Sequence, residues 1–270
     1  VKNLSGKQLL DTATTQVIYV YNDHGTSAAS LKHTIYTLKS ITIGYKIELI
    51  DAQGILNKPW TKNAILLIIP GGADLPYTQK LNGEGNRIIK KYVENGGNYL
   101  GICAGAYYGA SFVEFDKDGS LEVVGERELA FFPNKAIGPI LAKYNYTTNS
   151  GARVALIHIN WKPKIKKAIP TTINVYYNGG GYFKDTNLHK NVNTIGYYQL
   201  ENNTLLPAIL KIKYKKGTVI LSAVHFEYSP KLLNNDEYHN KLLPLLEENE
   251  NDRIKFTSLI FRSLGIKTRM

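Results

Sequence analysis

Cys103, the only cysteine of the chain, stands in the run Asn98-Tyr-Leu-Gly-Ile-Cys-Ala-Gly-Ala-Tyr-Tyr-Gly109, with glycine two residues to either side. A free cysteine on its own reads as a small buried hydrophobe. Small residues on both flanks, fed by a short apolar stretch, instead suit a sharp strand-to-helix turn that lifts a nucleophile clear of a sheet. A thiol at a helix start also gains from the helix dipole and its free N–H groups. Such a nucleophile needs a base, and the chain has six histidines. His24 and His33 in or near the first turn and helix, His158 after an apolar strand, His189 in a polar loop and His239 in an acidic helix or loop read as structural or solvent-facing. His225 differs, because it directly follows an apolar strand in Ser222-Ala-Val-His-Phe-Glu227. In extended backbone, residues two apart point the same way. Glu227 can then take the His225 Nδ1–H and leave Nε2 for a thiol, as the acid does in a triad. An oxyanion hole completes the set: the Ala104 N–H is one donor, and Gly71 or Gly72 supplies the second, since glycine lets backbone approach closely.

These residues need a scaffold that brings them together. Gln16–Tyr21 reads as a strand ending at Asn-Asp-His-Gly, and Ser27–Ser40 as a helix with Leu31, Ile35 and Leu38 at helical spacing. Tyr45–Ile50 reads as the next strand. Ala64–Ile69 is a continuous apolar run, as in a central strand covered on both faces, and ends in Pro70-Gly71-Gly72. Arg87–Glu94 is an amphipathic helix closing at Asn95-Gly96-Gly97, and Asn98–Ile102 is the strand that feeds the cysteine. This alternation predicts a doubly wound parallel sheet with ligands at the carboxyl ends of its strands, where Pro70-Gly-Gly and Cys103 both fall. Beyond Ser111 short β-rich segments follow: Leu121–Val124, Arg153–Ile157, Thr172–Tyr177, Thr194–Tyr198, Ala208–Tyr214 and Thr218–Ala223. Helical periodicity returns near Asn251–Leu264. The expected organisation is a polar lead-in over residues 1–15 and a single domain over 16–270.

The Gly-Ile-Cys-Ala-Gly run with a distant His-x-Glu resembles the class I glutamine amidotransferase-like superfamily. Within it, Pro70-Gly-Gly-Ala-Asp-Leu-Pro-Tyr77, Leu81-Asn-Gly-Glu-Gly-Asn86, the segment around Cys103, Val124-Gly-Glu-Arg-Glu-Leu-Ala-Phe-Phe-Pro133 and Tyr176-Tyr-Asn-Gly-Gly-Gly181 resemble the N-terminal domain of eukaryotic-type biotin-protein ligases. The likeness runs from about Gln16 to about Pro230. Bacteria also carry this domain free-standing, and the chain resembles that form. The resemblance implies an α/β, flavodoxin-like sheet with a β-rich extension, and a Cys-His-Glu site at Cys103, His225 and Glu227. His225-Phe226-Glu227 stands where the family usually has His-Pro-Glu. The Gly-Arg-Gly-Arg adenylate-binding run of the ligase catalytic domain is absent, so no biotin ligation is expected of these residues. Family-like segments also supply candidate pocket residues: Asp74 beside Pro70-Gly-Gly, Tyr107, Glu128 in a charged wall with Glu126 and Arg127, and Asn178 and Gly180 in the glycine run.

The expected activity is cysteine-dependent amidotransferase-like hydrolysis of a small-molecule amide or acyl substrate through a thioester. The alternative is a binding or regulatory module that keeps the fold without turnover, since the related ligase domain is fused to a complete enzyme. Neither metal nor cofactor is expected, and one cysteine excludes a disulfide framework or a multi-cysteine zinc site. The net charge of +11 is spread mostly over lysines. Clusters occur at Lys162, Lys164, Lys166 and Lys167 and at Lys211, Lys213, Lys215 and Lys216. The second cluster alternates with Ile212 and Tyr214, the wet face of a half-buried strand. Basic residues do not converge with exposed aromatics, so no nucleic-acid partner is expected, and no protein partner is identified. No apolar run is long enough for membrane insertion. A cytoplasmic location is expected, with export if a leader preceded Val1.

Overall fold

The computed structural model describes residues 15–161 and 169–269. All but Thr15 of the expected lead-in, and the first lysine cluster, lie outside them. The elements run in chain order β1 (Val17–Tyr21), α1 (Ala28–Ile41), β2 (Lys46–Ile50), α2 (Ala52–Asn57), β3 (Ala64–Ile69), α3 (Asp74–Leu81), α4 (Glu84–Glu94), β4 (Asn98–Ile102) and α5 (Ala104–Gly109). The β-rich part follows: β5 (Ala110–Phe115), β6 (Val123–Glu126), β7 (Phe132–Gly138), β8 (Arg153–Ile159), β9 (Thr172–Tyr177), β10 (Tyr182–Phe183), β11 (Val192–Gln199), β12 (Leu205–Tyr214) and β13 (Gly217–Ser222). Two helices, α6 (Glu237–Glu248) and α7 (Glu250–Ser263), close the series.

Nine strands form one mixed sheet in the order β2-β1-β3-β4-β13-β12-β11-β8-β9. The five from β2 to β13 are parallel neighbours, and the four from β12 to β9 extend the sheet antiparallel. This is an α/β architecture of the expected kind, with the β-rich extension built onto one edge. A second sheet, β10-β7-β5-β6, grows from the end of α5. Leu66, Leu67, Ile68 and Ile69 of β3 are wholly buried. Each such side chain contributes about 1.5–3 kcal/mol of apolar burial, which makes the strand ends beside it a rigid platform. Among the described residues no helix is long and apolar enough to cross a membrane.

The pairing of β13 with β4 decides where the chemistry sits. The strands run parallel with Ser222 opposite Ile102, and the Cys103 N–H donates to Ser222 O at 2.8 Å. Residues leaving the two carboxyl ends therefore emerge side by side, although they are more than a hundred positions apart in the chain.

Helix α1 departs from its expected face. Leu38 and Ile41 are buried as the spacing requires, but Leu31 and Ile35 are only half-buried. The rest of the buried face is polar: Ser30, His33, Thr34 and Thr37. Buried polar groups are costly unless hydrogen-bonded, so this face needs partners from the sheet rim. Helices α2, α3 and α6 and strands β5 and β7 lie outside the elements expected from periodicity. Proline explains part of this, since Pro76, Pro133 and Pro244 fall inside α3, β7 and α6.

Candidate active site

Cys103 sits in the turn between β4 and α5 with φ 50° and ψ −107°, a left-handed conformation that side chains rarely adopt. Its neighbours explain how the turn is held. A methyl on Gly101 would lie 2.2 Å from Gly105 O, and one on Gly105 would lie 1.9 Å from Ile69 O. Both contacts are with backbone, so only glycine lets α5 close down on β3 and β4. Cys103 is 7% exposed, and its thiol donates to Asn178 O at 3.7 Å.

His225 and Glu227 follow β13 in a tight turn. The His225 N–H donates to Tyr176 O at 2.9 Å, and the Tyr228 N–H closes back on His225 O at 3.3 Å. His225 Nδ1 lies 2.8 Å from Glu227 Oε1. The pair therefore forms as the residue types suggest, but through a turn and not by the i, i+2 geometry of a strand. Phe226 makes that turn rigid from behind. Its ring is fully buried against Phe256, and its carbonyl accepts from Arg253 Nη1 at 2.8 Å and Thr257 Oγ1 at 3.1 Å. With Nδ1 engaged by Glu227, Nε2 is left for Cys103. A methyl on Gly71 would lie 2.8 Å from His225 Cε1 and 3.4 Å from Cys103 Cβ, so imidazole and cysteine close on the same small space.

Burial alone would push the His225 pKa down. The Glu227 carboxylate, the Cys103 sulfur beside the ring and the hydrogen bond to Glu227 outweigh it and raise the pKa to about 10. The ring also packs against Tyr228 and Tyr176, with centroids 4.6 and 5.8 Å away. These rings belong to a stack: His33 lies on Tyr228 at 3.8 Å and Tyr176 on its other side at 4.4 Å. His33 Nδ1 accepts from the Ser229 N–H at 3.0 Å. Burial and the neighbouring His225 charge push its pKa down to about 3, so this second histidine stays neutral where His225 is charged.

The glycine pair at the end of β3 divides its labour. The Gly71 N–H donates to Ser30 Oγ at 2.9 Å and Gly71 O accepts from Ser27 N–H at 2.9 Å. Gly72 has φ +148°, and a methyl there would lie 1.9 Å from Gly25 O. No hydrogen bond among the described residues uses the Gly72 or Ala104 N–H. Gly71 is thus spent on Ser30, and Gly72 and Ala104 keep free donors beside Cys103.

A cavity of about 510 Å³ opens over these groups. Of the pocket residues expected from sequence, Asp74, Tyr107 and Asn178 line it together with Cys103, Gly71, Gly72, Ala104 and His225. Asp74 is buried, and its Oδ2 accepts from Arg127 Nε at 2.7 Å. Burial raises its pKa, with Arg127 countering part of the effect. Tyr107 donates to Gly179 O at 3.1 Å. Two expectations are corrected. Glu128 lies outside the cavity lining, where its carboxylate accepts from the Gly83 N–H and Asn86 Nδ2 at 2.7 and 2.8 Å and ties down the start of α4. Gly180 also lies outside it, packed so closely on Ala223 that a methyl would sit 2.0 Å from Ala223 O.

Sequence reading missed the support around Glu227: Ser30, His33 and Thr37 on α1. Thr37 Oγ1 donates to Glu227 O at 2.7 Å. It also missed the 144–149 segment that lines the cavity and the buried His239. His239 Nε2 lies 3.0 Å from Tyr176 Oη, and its Nδ1 lies 3.0 Å from Asp236 Oδ2. The only available signal was the run of Ser, His and Thr at helical spacing between Ser30 and Thr37.

A family model described as "Biotin-protein ligase, N terminal" matches residues 16–270. A biotin–protein ligase of Schizosaccharomyces pombe is 33% identical over 253 residues, covering 93% of this chain. The chain spans only 38% of that ligase's length. An uncharacterized protein of Chlamydia muridarum is 36% identical over 228 residues, with 82% of this chain and 84% of that protein covered. Among solved structures, a glutamine amidotransferase aligns with a TM-score of 0.50 at 16% identity, covering 85% of this chain and 98% of its own. The likeness to that structure is one of fold.

Proposed function

The chain belongs to the biotin-protein ligase N-terminal family and has a glutamine amidotransferase-like fold, and from that premise we propose that it is a cysteine-dependent hydrolase of small-molecule amides or related acyl compounds. The observation that carries this reading is the convergence of a Cys103 elbow, a His225–Glu227 pair at 2.8 Å and two uncommitted backbone donors on one cavity.

In the proposed reaction the Cys103 sulfur attacks the acyl carbon, and the Gly72 and Ala104 N–H groups receive the negative oxygen. Glu227 holds the imidazole of His225, whose Nε2 proton goes to the departing amine. The C–N bond breaks and an acyl thioester remains on Cys103. Water then attacks the thioester, His225 takes its proton, and the released acid frees the sulfur. The substrate's acyl portion would lie among Asp74, Tyr107 and Asn178. Acting on biotin is the described business of the yeast relative and is no part of this proposal.

Reactivity of the sulfur is the accessible test. Because Cys103 is the only cysteine, intact mass reports its alkylation without interference from another thiol. Iodoacetamide is expected to modify the folded chain at pH 7 roughly tenfold faster than it modifies free cysteine. A rate at or below that of free cysteine would favour a binding module that keeps the fold without turnover.

A further inference from the structure

Helix α1 spends its buried polar face on the rim of the sheet, and Ser30 does so at two places at once. Its side chain is wholly buried, on the third residue of a helix whose N-cap is Ser27. The hydroxyl accepts from the Gly71 N–H at 2.9 Å and donates to Glu227 Oε1 at 3.4 Å. One proton and two lone pairs serve both bonds without conflict. Glu227 Oε1 is also the atom that lies 2.8 Å from His225 Nδ1. A single hydroxyl therefore joins the acid behind the histidine to the glycine strand end beside the sulfur, across 197 and 41 residues of sequence.

The consequence for Gly72 follows from peptide planarity. Gly71 O and the Gly72 N–H belong to one trans peptide and point in opposite directions. Gly71 O is held by the Ser27 N–H at 2.9 Å and by Tyr77 Oη at 3.3 Å. Ser30 holds the N–H of the same residue. The start of α1 thus grips Gly71 on both sides of its Cα: Ser30 holds the Pro70–Gly71 peptide, and Ser27 holds the Gly71–Gly72 peptide that carries the Gly72 N–H. Losing the Ser30 hydroxyl would leave the buried Gly71 N–H without an acceptor, and it would free the Pro70–Gly71 peptide to turn toward another, shifting the Gly71 Cα and the Gly71–Gly72 peptide joined to it.

We infer that Ser30 is a positioning residue for acyl transfer, anchoring the Pro70–Gly71 peptide on which the oxyanion-binding orientation of the next peptide, Gly71–Gly72, is built, and coupling it to the His225–Glu227 pair. The inference rests on the reading of Cys103, His225 and Glu227 as an acyl-transfer site, and two probes separate the two ideas. Iodoacetamide alkylates sulfur by displacement at carbon, with no oxyanion to stabilise. p-Nitrophenyl acetate acylates sulfur through a tetrahedral oxyanion and releases p-nitrophenolate. Cys103→Ala supplies the background from lysine acylation.

The ratio of Cys103 acylation rate to alkylation rate is expected to fall roughly tenfold or more in Ser30→Ala. Ser30→Thr, which keeps the hydroxyl, is expected to recover most of it. A purely structural role would lower both rates together and leave the ratio where it was, which would overturn the inference. An unchanged ratio with both rates intact would overturn it as well. If wild-type Cys103 is alkylated at the rate of free cysteine and not acylated at all, the underlying acyl-transfer reading fails, and that outcome is visible before any Ser30 variant is made.

Discussion

Replacing His225 with asparagine is expected to slow alkylation of Cys103 at pH 7 by roughly tenfold or more. The cause is the charge on the imidazole. His225 is buried, yet Glu227 and the Cys103 sulfur raise its pKa from 6.5 to about 10. The charged imidazole closes on the same small space as Cys103, and the variant removes that charge from beside the reacting sulfur. The sign of the pH dependence follows from that shift. Because the folded pKa lies above the unfolded one, the stabilisation from the charged histidine is fully present below about 6.5 and is lost as pH rises through about 10. The rate advantage of wild type over His225→Asn should accordingly be largest near neutrality and shrink toward unity as pH approaches 10. Alkylation rates by intact mass across that range check both statements. Glu227→Gln offers the companion measurement, since it removes the chief group that raises the His225 pKa. Removing either partner leaves the other buried alone, at a cost of about 3–5 kcal/mol. Thermal melts therefore accompany each rate to show that the variant is folded.

Gly105→Ala is expected to be the most damaging single methyl in the elbow. The added carbon would lie 1.9 Å from Ile69 O and 2.7 Å from Ile69 C. Ile69 is the last residue of the buried strand β3, so neither atom can swing aside as a side-chain tip would. Relief requires α5 to lift from the sheet, which opens packing around Tyr107 and Tyr108 and disturbs Cys103. A loss of roughly 3 kcal/mol or more is expected, at the upper end of single substitutions. Gly265→Ala is the control. Gly265 has a positive φ of +76°, which Gly105 has not, but nothing lies within 4 Å of its added methyl, so it should lose only about 1 kcal/mol, from backbone strain alone. Urea midpoints of the two variants measure the difference, and equal losses would mean that α5 does not depend on the close approach.

How much of this was legible in the sequence depends on the kind of signal each residue carries. Cys103 could be read because Gly101 and Gly105 are unusual neighbours for an ordinary buried cysteine. The parallel strands could be read because Ala64–Ile69 is apolar throughout and ends in Pro-Gly-Gly. His225 stood out through Glu227 two residues later, although the turn at Phe226, and not an extended strand, brings them together. Ser30, His33 and Thr37 could not be read. At helical spacing they resemble the wet face of an amphipathic helix, and only the fold shows that Glu227 and Ser229 lie beneath them. Glu128 failed for the opposite reason: a carboxylate in a family-like segment suggested a pocket wall, while its oxygens serve the start of α4. Helix α6 was hidden by Pro244, and with it the approach of His239 to Tyr176.

The most direct test of a Cys103 nucleophile is acid-quenched intact mass of the wild-type chain mixed with p-nitrophenyl acetate. Attack by sulfur releases p-nitrophenolate and leaves an acetyl thioester, which water then converts to acetate and free thiol. The expected result is a single acetyl group on Cys103 that builds up within the burst of p-nitrophenolate and disappears as the reagent is consumed. Acetylation confined to lysines, or an acetyl group that stays on Cys103 indefinitely, would contradict hydrolysis by Cys103, His225 and Glu227.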